Sequence, residues 1–410
     1  MEIRYLDLFS GMGGMRLGLE QSLKNNGYIP KCIGTYEIKK HAIKQLKYYF
    51  KDENIKNLLD YDFSKKIDFD ILIGGFPCQP FSKAGSLKGF DDNRGNFIFN
   101  IFDILNVSKP RFFILENVDN ILTHDKGKTI KIIIDKLKEL GYCVDFKVLN
   151  TKDFGLPQNR KRLFIIGDLY NQIIIPDIIP TYKNFNDIIE KNIIDIQNYE
   201  DKNFTNLIIN KYNSINFVEG KYLNDKRGGD KNIHSWELEL YGEVSDDEVN
   251  ILNIILSERR KKEYAKELNI EWKDGNPLTY EQLLRKYQKN NLLEILNILE
   301  EKKYIKRKLI KEDIYGYSIL TGRLSFPFSF FIKNNSISNT VTATEMHKFG
   351  VVDNQNNVIR KITKREGLRM FGFPEEYNFS NELKLSECYD LLGNTLGVSI
   401  INFLTNALFR

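Results

Sequence analysis

The sequence predicts an α/β protein: a doubly wound, mostly parallel sheet accompanied by a second, smaller domain. Three observations carry this expectation. Apolar runs of strand length recur at residues 3–9, 31–36, 69–73, 111–115 and 142–149, with helix-forming segments at 16–24, 98–105 and 129–140 between them; parallel sheets are wound from this alternation. The first run passes through a glycine turn, residues 10–14, directly into a helix, the usual opening of a nucleotide-type α/β domain. A chain of 410 residues can bury one large core and a second smaller one, and between residues 168 and 339 the composition changes to charged, asparagine-rich segments.

Taken in order, the turn Ser10-Gly11-Met12-Gly13-Gly14 lets backbone approach a ligand closely. A strict G-x-G-x-x-G fingerprint fails because Arg16 stands where its last glycine belongs, which disfavours a dinucleotide oxidoreductase. The second strand ends at Glu37, where a carboxylate is placed to accept hydrogen bonds from ribose hydroxyls. The strand at 69–73 delivers Gly74-Gly75-Phe76-Pro77-Cys78-Gln79-Pro80-Phe81-Ser82, in which the prolines fix φ and hold the thiol on a stiff turn. A lone cysteine in apolar surroundings is more often a packing residue, but packing does not need this setting. The loop at 82–95 is rich in glycine and small polar residues, a composition suited to movement.

The strand at 111–115 carries Glu116 and Asn117 at its end. Further on, Arg160 and Arg162 lie two apart on an extended segment and so project to one face. Beyond them, helical patches occur at 246–268 and 280–301, and basic clusters at Lys226-Arg227-Gly228-Gly229, Arg259-Arg260-Lys261-Lys262 and 302–311. Such clusters are candidates for phosphate contact, although a basic run on a helix is more often a solvated face.

Composition bounds the partners. Net charge is +5, compatible with a polyanionic ligand without requiring one. Cys32, Cys78, Cys143 and Cys388 are widely separated and the four histidines are scattered, so neither a disulfide framework nor a metal site is indicated, and a reducing cytoplasm is expected. The N-terminus lacks the features of a signal peptide, and no apolar stretch is expected to reach the roughly 18 residues of a membrane span.

Gly75 to Ser82 resembles the nucleophile motif of the cytosine-5 DNA methyltransferases, and the other blocks of that family follow in its usual order: Asp7-Leu8-Phe9-Ser10-Gly11-Met12-Gly13-Gly14, Glu116-Asn117-Val118, Gln158-Asn159-Arg160-Lys161-Arg162, Thr363-Lys364-Arg365-Glu366 and Gly393-Asn394-Thr395. The resemblance implies the S-adenosylmethionine-dependent methyltransferase fold, with a catalytic and cofactor-binding domain at 1–168, a DNA target-recognition domain at 169–380 and a C-terminal helix at 381–410 returning to the first domain. It implies methyl transfer to carbon 5 of a cytosine flipped out of double-stranded DNA, through a covalent adduct of Cys78. Glu116 is then the acid at ring nitrogen 3, Asn117 orients that segment, Arg162 holds the carbonyl oxygen, and Arg160 with Arg162 favours the thiolate.

S-Adenosylmethionine is expected against Asp7, Phe9, Ser10, Gly11, Gly13 and Gly14, with Glu37 on the ribose. Ile38 stands where the family usually has a large ring over the adenine. Asp62 matches the acid that reads the adenine amino group, with Asp60 an open alternative, and Pro77, Phe97, Asn394 and Leu396 complete the pocket. DNA contacts are expected from Gln79, Ser82, Lys83, Lys88, Arg94 and Thr340, and the block from 360 to 377 is expected to hold the small lobe together. By the same resemblance the protein is a cytoplasmic, nucleoid-associated monomer, with a separately acting cognate endonuclease as a possible companion. The alternatives are a transfer RNA cytosine-5 methyltransferase of the same fold, whose recognition region is much shorter, and a catalytically silent DNA-binding relative.

Overall fold

The computed structural model describes residues 1–77, 97–320 and 326–409; Cys78, Gln79, Ser82, Lys83, Lys88 and Arg94 lie outside the described residues. The chain forms two compact units, one from Met1–Asn192, Asn334–His347 and Ile362–Arg410, the other from Ile193–Lys333 and Lys348–Lys361. These are not the divisions expected at 168 and 380. Residues 169–192, 334–347 and 362–380 belong to the first unit because long-range hydrogen bonds hold them there. The amides of Phe185 and Asn186 donate to the carbonyls of Ser336 and Asn334, and the Glu366 carboxylate accepts from the Glu190 amide. The 360–377 block, expected to hold the small lobe, thus falls mainly in the first unit.

In the first unit, β1 (Glu2–Leu8), β2 (Ile29–Tyr36), β3 (Ile55–Lys56), β4 (Ile71–Gly75), β5 (Phe112–Val118), β6 (Cys143–Asn150) and β7 (Lys161–Asp168) form one sheet in the order β3-β2-β1-β4-β5-β7-β6. Every pairing is parallel except those of β7, which runs against both its neighbours. This is the mostly parallel, doubly wound sheet that the apolar runs predict. Alternate residues feed two cores: Leu6, Leu72, Phe113 and Leu115 face one, and Tyr5, Ile71, Phe112 and Ile114 face the other. Helices α3 (Phe97–Ser108) and α4 (Lys128–Glu139) cover the first face, and α1 (Gly14–Asn25) covers the second, while α2 (Lys40–Phe50) follows β2. Because the chain winds outward from β1 through β2 and then returns to β4 on the other side, the switch point lies at the carboxyl ends of β1 and β4, where ligands bind in such sheets.

The second unit contains α5 (Lys202–Tyr212), β8 (Tyr222–Leu223), β9 (Asn232–Ile233), α6 (Asp246–Glu258), α7 (Lys262–Glu267), α8 (Tyr280–Tyr287), α9 (Leu292–Glu301), β10 (Ile305–Lys311), β11 (Ile314–Ile319), β12 (Phe330–Phe331), β13 (Phe349–Asp353) and β14 (Val358–Lys361). A five-stranded sheet, β14-β13-β12-β8-β9, packs with α5 around Phe204, Phe328 and Phe331. The helices α6 to α9 and the β10–β11 hairpin share a separate core including Trp236, Ile255, Leu296 and Tyr317. Each expected helical patch is split in two. Gln288, at a left-handed φ of 52°, ends α8, and Thr279 and Ser245 start α8 and α6 with capping boxes.

The chain closes with α10 (Lys364–Met370), α11 (Leu385–Asn394) and α12 (Val398–Leu408) in the first unit. Contrary to expectation, the span Leu385–Leu408 is long and apolar enough to cross a membrane. It consists of two helices parted at residues 395–397, most of it is buried, and Ile400, Ile401 and Leu404 pack with Leu19 and Leu23 of α1.

Candidate active site

A cleft of about 400 Å³ opens beside the carboxyl ends of β4 and β5, lined by Pro77, Glu116, Asn117, Arg160, Arg162 and Asn394 among others. Glu116 and Arg162 sit on adjacent antiparallel strands, and the guanidinium Nε lies 3.0 Å from Glu116 Oε1. Burial pushes the Glu116 carboxyl above its ordinary value, and the positive charges of Arg162 and Arg160 only partly oppose this. Asn117 is buried; its amide nitrogen donates to the Phe76 carbonyl at 2.9 Å and its oxygen accepts from the Val118 amide at 2.8 Å. Asn117 therefore ties the end of β4, and with it Pro77, to the end of β5. Cys78 follows Pro77 in the chain, outside the described residues.

Arg160 lines the same cleft but is 3% exposed, with Nη1 donating to the Val341 carbonyl at 2.8 Å and Nη2 to the Gly393 carbonyl at 3.1 Å. Burial and the neighbouring Arg162 charge bring it down to about 9. It joins three distant segments. A Cβ on Gly393 would come within 2.2 Å of the Ala343 backbone, so only glycine admits this crossing. Thr340 is half-buried and its hydroxyl donates to the Asn159 carbonyl; it is Thr342 and Thr344, two and four residues on, that line the cleft. The sequence reading missed these two, and the alternation Thr340-Val341-Thr342-Ala343-Thr344 was the available signal.

The crevice at the switch point is built from β1, the glycine turn and Glu37. Phe9, Gly11 and Gly13 have φ of 55°, 55° and 83°, left-handed backbone that turns β1 into α1. No atom lies within 4 Å of a Cβ placed on Gly11, so that side of the turn is open. Glu37 Oε2 accepts from the Gly11 amide at 2.7 Å, and Oε1 accepts from the amides of Ile38 and Lys39 at 2.7 and 2.8 Å. The carboxylate thus braces the turn and keeps spare acceptor capacity. The rings of Phe9 and Phe97 meet edge to face with centroids 5.2 Å apart.

Asp7 lies fully buried beneath the turn, and neither carboxylate oxygen has a hydrogen-bond partner among the described residues. The Ser10 hydroxyl donates to the Asp7 main-chain carbonyl instead, at 3.0 Å. Burial, opposed by the Arg16 charge, pushes the Asp7 carboxyl up to about 7. Arg16 itself is buried, ion-paired with Glu20 at 3.0 Å and Asp52 at 2.8 Å and seated over the Phe50 ring, so the residue that breaks the dinucleotide fingerprint anchors α1 to the segment after α2.

The other expected cofactor residues separate. Ile38 is 65% exposed. Asp62 is exposed and held below its ordinary value by hydrogen bonds from the Ser64 hydroxyl and amide. The Leu396 side chain is buried in the core under α12. Asn394 lines the cleft, and its amide nitrogen donates to the Asp390 carboxylate at 3.1 Å. That carboxylate also accepts from Lys39 at 3.0 Å and pairs with His41 at 2.7 Å, two residues that the sequence reading did not single out.

Residues 3–410 match the family described as C-5 cytosine-specific DNA methylase. The chain belongs to that family. As a C-5 cytosine-specific DNA methylase it is a DNA cytosine-5 methyltransferase, and family and fold together imply S-adenosylmethionine as methyl donor. The Type II methyltransferase M.NlaIV of Neisseria lactamica is 40% identical over 439 residues, covering 100% of this chain and 99% of that protein. The Type II methyltransferase M.BanI of Aneurinibacillus aneurinilyticus is 35% identical over 429 residues, covering 100% and 96%. Among solved structures, a Spodoptera frugiperda DNMT2 mutant superposes with a TM-score of 0.53 at 18% identity over 100% of both chains. A putative DNA modification methyltransferase encoded within an Escherichia coli prophage gives 0.53 at 18%, covering 99% of this chain and 98% of that one. These two show a shared fold.

Proposed function

We propose that this methylase modifies cytosine within a specific double-stranded DNA sequence as the modification enzyme of a restriction-modification system, through a covalent Cys78 adduct. The observation that carries the chemical part is the Glu116–Arg162 pair in a cleft that Pro77 borders. Carbon 5 of cytosine is a poor nucleophile until a nucleophile adds to carbon 6. In this reading Cys78 adds there as thiolate, and Glu116 gives a proton to ring nitrogen 3 as charge develops. A carboxyl that burial pushes above its ordinary value suits this role better than an unperturbed one. Arg162 Nη1 donates to the Lys161 carbonyl and its Nε faces Glu116, which leaves Nη2 for the cytosine carbonyl oxygen. Once carbon 5 carries the methyl group the nitrogen 3 proton returns to Glu116, and loss of the carbon 5 proton with departure of Cys78 as thiolate restores the ring.

S-Adenosylmethionine supplies an electrophilic methyl group on a sulfonium. The residues at the switch point fit it: an open glycine turn, spare acceptor capacity on Glu37, an aromatic pair at Phe9 and Phe97, and an unpartnered carboxylate at Asp7. A stacked cytosine cannot reach the cleft, so the base must leave the duplex at a cost of a few kcal/mol. Membership of a restriction-modification system rests on the Type II names of the relatives. Bisulfite sequencing of DNA from a naive host expressing the chain tests the reading; methylation at one recurring sequence is expected, and methylation confined to transfer RNA overturns it. Cys78→Ala is expected to bind DNA yet form no adduct with DNA carrying 5-fluorocytosine.

A further inference from the structure

The second unit contains a helical module with a core of its own. Helix α6 is followed by α7, a β-bridge at Leu278, then α8, a four-residue turn and α9, and the chain returns through the β10–β11 hairpin. Leu278 and Tyr317 of β11 exchange both main-chain hydrogen bonds, at 3.0 and 2.7 Å, so the hairpin is stitched to the segment entering α8. Ile251, Ile255, Leu283, Leu296, Ile305 and Tyr317 share its core. This is a helix-turn-helix with a β-hairpin wing.

In a helix-turn-helix the second helix ordinarily enters the DNA groove. Here the exposed face of α9 carries Leu293, Glu294, Asn297 and Glu301, which a polyanion would repel. Four basic residues on or beside the helices are already engaged, Arg285 with Glu267 at 2.5 Å, Lys289 with Asp247 at 2.5 Å, Lys261 with Glu258 at 2.8 Å and Lys302 with Glu248 at 2.6 Å, while Lys262 and Lys266 of α7 have no ion pair among the described residues. The wing differs. Arg307, Lys308 and Lys311 are exposed and Lys306 is half-buried, and among the described residues none has a carboxylate within ion-pairing distance. Lys306 and Lys308 project to the same side of β10, about 7 Å apart. Partial desolvation, with the Lys306 charge as the lesser cause, holds Lys308 below its ordinary value. Arg307 is steadied over the Tyr315 ring at 4.7 Å. The two acids of the hairpin, Glu312 and Asp313, lie at its tip, beyond the strand pairing.

We propose that β10 of this wing, through Lys306, Arg307, Lys308 and Lys311, binds the phosphate backbone of duplex DNA, an attachment independent of the base being methylated. This rests on the reading that the protein acts on double-stranded DNA. The test is equilibrium binding of the full chain to duplex DNA across a series of salt concentrations, comparing wild type with the triple variant Lys306→Gln, Arg307→Gln, Lys308→Gln. The slope of log affinity against log salt is expected to become shallower by about 2 to 3, at roughly 0.9 for each phosphate no longer neutralised, while the preference for target over scrambled duplex stays the same. An unchanged slope, with the variant's Tm retained, overturns the proposal. So does a several-fold gain in affinity for Glu294→Gln with Glu301→Gln and no change for the wing variant, which would put α9 on the DNA. Failure of the double-stranded DNA reading itself looks different, because wild type then shows no salt-dependent duplex binding at all.

Discussion

Arg162 Nε stands 3.0 Å from Glu116 Oε1 across two antiparallel strands, yet the carboxyl is still raised, because burial outweighs the cation. The pair therefore favours the acid form of Glu116 more than an exposed carboxyl would, while aligning a guanidinium beside it. Glu116→Gln is expected to lower kcat by about 10²- to 10⁴-fold, the range for a general acid, with cofactor affinity unchanged. The sign of the pH dependence follows from the required form. The acid is protonated at low pH, so kcat should fall as pH rises through the raised Glu116 value, and this limb should vanish in the variant. A kcat–pH profile with saturating DNA and cofactor reads both, and a near-normal rate for Glu116→Gln refutes the role.

Asp7 makes a prediction about stability. Its folded-state value of about 7 exceeds the ordinary 3.8, so its contribution is fully present below about pH 4 and is lost as pH rises through 7. Fully charged and buried without a partner, it costs on the order of 4 kcal/mol. Asp7→Asn should therefore be more stable than wild type at pH 8 and close to it at pH 4 to 5, measured as the Tm difference without cofactor. Equal Tm differences at both pH values would show that the carboxylate finds a partner in solution.

The contrast between Asp7 and the division of the chain shows what was legible in the sequence. The central strands β4 and β5 announce themselves because each opens as an apolar run buried on both faces, as at Ile71 to Ile73 and Phe112 to Leu115, and the ends of β2, β4 and β5 place Glu37, Pro77 and Glu116 without further information. The alternation of Arg160 and Arg162 likewise puts both on one cleft. The unit boundaries were not legible, because the contacts that return 334–347 to the first unit, such as the Asn159 amide on the Ser338 carbonyl, join residues nearly 180 positions apart. The winged module was hidden for a different reason. Its helices read as two long patches, and only the left-handed Gln288 between α8 and α9 reveals the turn.

Asp390 has a positioning role open to test. Its carboxylate takes Lys39 and His41 on one oxygen and Asn394 on the other, linking α2 to the end of α11 at the cleft. Asp390→Ala should weaken S-adenosylmethionine binding by about 10-fold, the worth of one good hydrogen bond, with kcat at saturation nearly unchanged. Isothermal titration and kcat together separate this from a merely structural loss, which lowers Tm and leaves the affinity of the folded fraction alone.

Arg160 should prove to be as much a structural tie as a catalytic neighbour. Its fork reaches the carbonyls of Val341 and Gly393 from the residue before β7, far from either in sequence, and it is almost wholly buried. Removing it leaves two buried carbonyls without their charged donor, so Arg160→Ala should cost about 3 kcal/mol. Arg160→Lys should not rescue it, since a single ammonium cannot span two acceptors held by separate segments. Urea unfolding with an unchanged m-value and a lowered midpoint is the expected result. A stable variant with lost turnover would instead make Arg160 purely a residue of the chemistry.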